Sequence, residues 1–143
     1  MSIKLQLKGF NDLLEKIQKA DGNVLTATQN ALKDSAEIMQ STLKSEMAQS
    51  NVPSDLISAM PSYQTETVAN RVTARVGYKK GSYNPADPSD GYKVVFLNYG
   101  TPNRTKHGQV TARGFIERAK KRAKPKMKKQ QEQTLKEILR GLE

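Results

Sequence analysis

The sequence predicts an α+β domain: a small, mostly antiparallel sheet packed by a long helix in the N-terminal half and by a basic C-terminal helix kinked near Pro125. Three observations lead there. Apolar residues step by three and four from Leu25 to Met47, and again from Phe115 to Leu142. Between these segments, Arg71 to Tyr78 alternates polar and apolar residues with a period of two. The strands are few and grouped, with helices before and after them. A chain of 143 residues makes one ordinary domain. Its parts are strand and helices in 1–50, a hairpin and central strand in 61–101 with a long loop at 79–91, and a helix in 111–142.

Ile3, Leu5 and Leu7 alternate with Lys4, Gln6 and Lys8, which predicts a short strand ending at Gly9. Asn11 or Asp12 is placed to cap a helix carrying Leu13, Leu14 and Ile17, which Asp21-Gly22-Asn23 breaks. From Val24 to about Gln49, the stripe Leu25, Thr28, Leu32, Ala36, Met39, Leu43 and Met47 calls for another surface to cover it. Ile38 widens that stripe, and Lys33, Glu37, Gln40, Ser41 and Lys44 fill the opposite side. Pro53 ends the helix, and Ser54 is positioned to cap a single turn through Met60. Tyr63–Ala69 and Arg71–Tyr78 are expected to form a hairpin with Asn70 at the turn, with Val72, Ala74 and Val76 on one face and Arg71, Thr73 and Arg75 on the other. Lys79 to Gly91 is a polar loop rich in Gly and Pro, in which Tyr83 is the residue suited to anchor on a partner. The unbroken apolar run Val94-Val95-Phe96-Leu97 predicts that Tyr92–Tyr99 is a central strand covered on both faces. In the last helix Pro125 removes the amide that would bond to Lys121, which predicts a kink or break near Lys124.

Charge is concentrated. From Arg104 to Lys129 there are eleven Lys or Arg against one acid, Glu117, a surplus of +10 that equals the formal charge of the whole chain. Such a patch fits an anionic partner or a solvated helix face. There is no cysteine, which excludes disulfides and thiolate metal sites. No apolar run approaches the roughly 20 residues of a membrane span, and no signal-peptide core follows Met1, so cytosolic synthesis is expected. The single histidine, His107, lacks a second ligand or an orienting carboxylate. No serine lies in a Gly-x-Ser-x-Gly setting, and no phosphate loop is present. Asp87 and Asp90 only faintly resemble a calcium loop, since Ala86 and Pro88 fill ligand positions. The expectation is a protein that is not an enzyme and uses no cofactor or metal.

Three stretches carry a family resemblance: Pro53 with Asp55-Leu56-Ile57-Ser58, then Phe96-Leu97-Asn98-Tyr99-Gly100-Thr101, then Ala112-Arg113-Gly114-Phe115-Ile116-Glu117-Arg118-Ala119. In order and spacing the chain resembles the small neck or tail-component proteins of tailed bacteriophages with long non-contractile tails, of head–tail joining or tail-completion type. Asn98 stands where that family often has an acid, Gly114 where it often has proline, and Ser54 where it often has glycine. Asn98 therefore leaves an uncharged hydrogen bond in place of a salt bridge to Arg113.

The resemblance implies a structural protein of the virion neck, assembled in the host cytoplasm as a homo-oligomeric ring. Its partners would be the connector, head-closure, tail-terminator or tube proteins, with no membrane and no small-molecule substrate. Lys79, Lys80, Tyr83 and Asp87 are candidates for contacts between subunits. Arg104, Lys106, Arg118, Lys120, Lys121, Lys124 and Lys128 are candidates for contact with a partner or DNA, an acidic protein ring being preferred to a specific DNA sequence. Asn98, Tyr99, Gly100, Thr101, Arg113, Gly114 and Phe115 are expected to serve the fold. The alternative is a basic protein that binds nucleic acid without regard to sequence, and salt dependence of DNA binding separates the two.

Overall fold

The computed structural model describes residues 2–6, 23–69, 71–79, 84–87, 89–101 and 109–141. Its elements are β1 (Ser2–Gln6), α1 (Asn23–Gln49), α2 (Ser54–Ser58), β2 (Gln64–Val68), β3 (Arg71–Gly77), α3 (Tyr92–Tyr99) and α4 (Phe115–Gly141). The α+β prediction holds. The sheet is three-stranded and antiparallel, in the order β1-β3-β2.

β3 is the central strand. Its register sets Ile3 opposite Val76 on one side and Thr67 opposite Val72 on the other. Val72, Ala74 and Val76 are buried, as the period of two requires, and α1 packs across them. The hairpin turn joins Val68 to Arg71, with Ala69 at φ +53°. Asn70, expected to supply that turn, lies outside the described residues, as do the predicted cap at Asn11 or Asp12 and the helix through Ile17.

The stripe of α1 forms the middle of the core. Thr28, Leu32, Ala36, Met39, Leu43 and Met47 are all buried. Burying side chains of the Leu and Met class stabilises by about 1.5–3 kcal/mol each relative to leaving them exposed. Phe115, Ile116, Ala119 and Ala123 of α4 close the other side of the same core. The two long helices run antiparallel: Glu46 meets Arg118 near one end, and Ser35 meets Gln130 near the other. Ala36 of α1 and Ala119 and Ala123 of α4 are fully buried in this core.

Three expectations need correction. Tyr92–Tyr99 is a helix, not a strand. A short apolar run has no periodicity that separates a buried strand from a buried helix. Here the buried positions are Val94 and Asn98, four apart, while Phe96 and Tyr99 are exposed. The turn before α3 favours its start, because the Asp90 carboxylate accepts from the Tyr92 amide at 3.2 Å. Ser54 is not a cap: Pro53 occupies the N-cap position of α2, and no side chain bonds there. Finally, of the kink or break expected near Lys124, the break is absent: α4 continues through Pro125 to Gly141. Pro125 and Lys121 both lie on the exposed side, where water can satisfy the carbonyl that the ring leaves without a partner.

An interior proline costs about 3 kcal/mol relative to alanine in an exposed helix. Pro125→Ala is therefore expected to raise stability by about 1–3 kcal/mol in urea unfolding with an unchanged m value. A loss of stability would show that the ring makes contacts of its own.

Candidate functional site

Two segments separated in sequence, 98–101 and 110–116, are tied together at the start of α4. Gly100 ends α3 with φ +76° and its amide bonded to the Phe96 carbonyl at 2.8 Å. A Cβ at Gly100 would lie 2.8 Å from the Val110 oxygen and 2.9 Å from the Ala112 nitrogen, so both the dihedral and the space require glycine. Thr101 pairs twice with Val110. Its amide donates to the Val110 carbonyl at 2.9 Å, and its Oγ1 accepts from the Val110 amide at 2.9 Å. The amides of Arg113 and Gly114 donate to the carbonyls of Leu97 and Asn98, both at 3.1 Å.

Asn98 is the hinge of this clamp and is only 1% exposed. Its Oδ1 accepts from the Ile116 amide at 2.9 Å, which satisfies one of the free donors in the first turn of α4. Its Nδ2 lies 3.5 Å from Glu117. The cap thus comes from α3 rather than from the residue that precedes α4. Arg113 takes no part in a bond with Asn98. Its guanidinium donates to the Ser50 and Asn51 carbonyls at 3.1 and 3.0 Å, capping the C-terminal end of α1. Phe115 is fully buried, and Gly114 sits at φ +59°. Tyr99, expected to serve the fold with them, is 56% exposed.

The basic face divides into two sets. Arg118 and Arg122 turn inward to Glu46, a carboxylate whose side chain is 2% exposed. Arg118 binds it through Nε at 3.2 Å, and also donates to the Arg113 carbonyl at 2.6 Å and to the Ser50 hydroxyl. Arg122 pairs with the other Glu46 oxygen and reaches Gln49 at 3.4 Å. Lys120, Lys121, Lys124 and Lys128 stay exposed. Arg104 and Lys106 lie outside the described residues, as does His107.

Described residues of the segment between β3 and α3 are bonded to one another. Asp90 is buried and accepts from the Asn84 amide at 3.0 Å as well as from Tyr92. Asp87 accepts from the Ser89 hydroxyl at 2.6 Å and the Ser89 amide at 2.9 Å. These bonds, the hydroxyl first, hold the Asp87 carboxyl below its usual range. Both carboxylates are thus engaged by the loop itself. Lys79 bridges to Asp90 in a parallel pairing and is exposed. Lys80 and Tyr83 lie outside the described residues.

One surface was not visible in the sequence. As a helix, α3 aligns Tyr92, Phe96 and Tyr99 at spacings of four and three, on one side. Tyr92 and Phe96 meet edge to face with ring centroids 6.2 Å apart, and Phe96 is 40% exposed. The strand reading placed Phe96 in the core, and only the helical period brings these rings together. A second open element is β2, a sheet edge whose five residues are all exposed, with Val68 at 62%. Among the described residues, no group of three or more His, Cys, Asp or Glu is arranged to hold a metal ion. No described helix is long and apolar enough to cross a membrane. No protein-family model, curated protein or solved structure matches this chain.

Replacing Asn98 by Ala leaves the Ile116 amide buried without its acceptor. The expected loss is about 1–3 kcal/mol in chemical denaturation, with the m value retained. For Asp87 the sign follows from its lowered value. The turn is favoured while the carboxyl is ionised and weakens as pH falls through a midpoint below the ordinary value of about 3.9. An NMR titration of the Ser89 amide should show that midpoint, and Ser89→Ala should move it upward.

Proposed function

We propose that this chain is a structural virion protein of the phage neck, a head–tail joining or tail-completion subunit that acts as an oligomeric ring. The observation that carries the reading is the clamp. The two segments with the family pattern, Asn98-Tyr99-Gly100-Thr101 and Arg113-Gly114-Phe115, are far apart in sequence and bonded to each other in space. A pattern whose halves join in this way supports a shared architecture better than either half alone.

The exposed elements supply what a ring subunit needs. A heterologous interface pairs one surface with a different surface of the next copy and closes when the rotation divides the circle. Tyr and Phe on α3 are the residue types that anchor such interfaces, because they bury large area at low entropic cost. The β2 edge is open to strand addition, and Lys79 with Asp87 lies in the loop between β3 and α3. The subunit is read as non-catalytic, working by assembly with connector, head-closure or tail proteins, in the virion.

Light scattering on the full chain, alone and with the products of its neighbouring genes, tests this. A ring or a stoichiometric complex is the expected result. Replacing Phe96 and Tyr99 together by Ala should weaken that association at least tenfold while leaving the circular dichroism spectrum unchanged. A strict monomer at high micromolar concentration that binds none of those proteins would overturn the proposal.

A further inference from the structure

We infer that the outer stripe of α4 is a sequence-independent binding face for the phosphate backbone of duplex DNA, carried by Lys120, Lys121, Lys124 and Lys128. At 100° per residue these four fall on one side of α4, opposite the buried line through Ala119 and Ala123. All four are exposed, and none is ion-paired to another described residue. Glu117 and Glu132 mark the two ends of the stripe.

The chemistry of the stripe selects phosphate over an acidic protein face. Protein interfaces draw their affinity from buried Tyr, Trp and Arg anchors, and lysine is depleted in them. Here the arginines of this part of α4, Arg118 and Arg122, are turned to Glu46. The large exposed hydrophobics among the described residues are Val68, Phe96 and Tyr99, so none lies on α4. What remains is a row of point charges on flexible stems, with neither an apolar centre nor a bidentate donor. Such a row suits counterion release, which needs charge density and no shape match. The eight helical steps from Lys120 to Lys128 rise about 12 Å, the span of about four phosphates of one strand at about 3.4 Å each. Duplex binding of this kind is independent of whether the chain forms a ring.

Fluorescence anisotropy of the full chain with a random-sequence 30-base-pair duplex, from 50 to 200 mM KCl, provides the test. Four phosphate contacts predict a slope of log K on log salt near −3.6, so affinity falls about a hundredfold over that range. Changing Lys120, Lys121, Lys124 and Lys128 to Gln should flatten the slope to near zero, and Lys120→Gln with Lys124→Gln alone should roughly halve it. A charge-matched control, with Lys33, Arg71, Lys93 and Lys136 changed to Gln, should keep the slope within about one unit. An absence of duplex binding at 50 mM salt would overturn the inference, as would equal losses in the stripe and control variants. Tighter binding to polyglutamate than to duplex would overturn it in favour of an acidic protein partner.

Discussion

A buried carboxylate governs how the two long helices meet. Glu46 lies on the same side of α1 as Met39, Leu43 and Met47, at a position where an unpaired charge would cost several kcal/mol. Arg118 and Arg122, one turn apart on α4, each take one of its oxygens. A one-turn slip of α4 that set Gly114 and Arg118 opposite Glu46 would leave the carboxylate one guanidinium instead of two. The pair need not add net stability to penalise other registers. Arg113 strengthens the same junction from the loop side by binding the carbonyls of Ser50 and Asn51, just past the end of α1. Further along, Ser35, Gln130 and Gln131 form a polar layer in which side chains again answer one another across the helices.

That junction fixes the roles of the basic residues. A guanidinium can bind a carboxylate and a carbonyl at once, as Arg118 does where α1 ends and α4 begins; there Arg113 binds two carbonyls, and Arg122 the same carboxylate. An ammonium on a long stem is more easily left in water, and the lysines of the same helix stay there. A charge run that reads as one feature in sequence is therefore two. One set of residues holds the fold, and the other set faces outward. Pro125 falls on the outward side, where the carbonyl that its ring leaves free can bond to water.

The clamp at the start of α4 follows a similar economy. α4 starts without a capping side chain of its own, since Gly114 precedes Phe115. Asn98 reaches over from α3 to fill that role, and Gly100 lets the backbones come close enough. As an amide, Asn98 accepts from α4 with one atom and offers a donor to Glu117 with the other. A carboxylate at this position would meet Glu117 as a like charge.

The periodic features were legible in the residues alone. The stripe of α1, the alternation of β3 and the apolar face of α4 repeat often enough that one arrangement buries them all. Gly100 and Phe115 were also identifiable as fold residues, although their partners were not. The sequence by itself determined an α+β domain with a dense basic segment between Arg104 and Lys129. Only the tertiary structure decided that Tyr92–Tyr99 is helical, that Asn98 caps a helix 17 residues away, and that Arg118 and Arg122 serve Glu46. The reason is physical. Eight residues with a four-residue apolar run are too few to show a period, and a cap or an ion pair between distant segments has no local signature. Those contacts exist only once the long elements have packed.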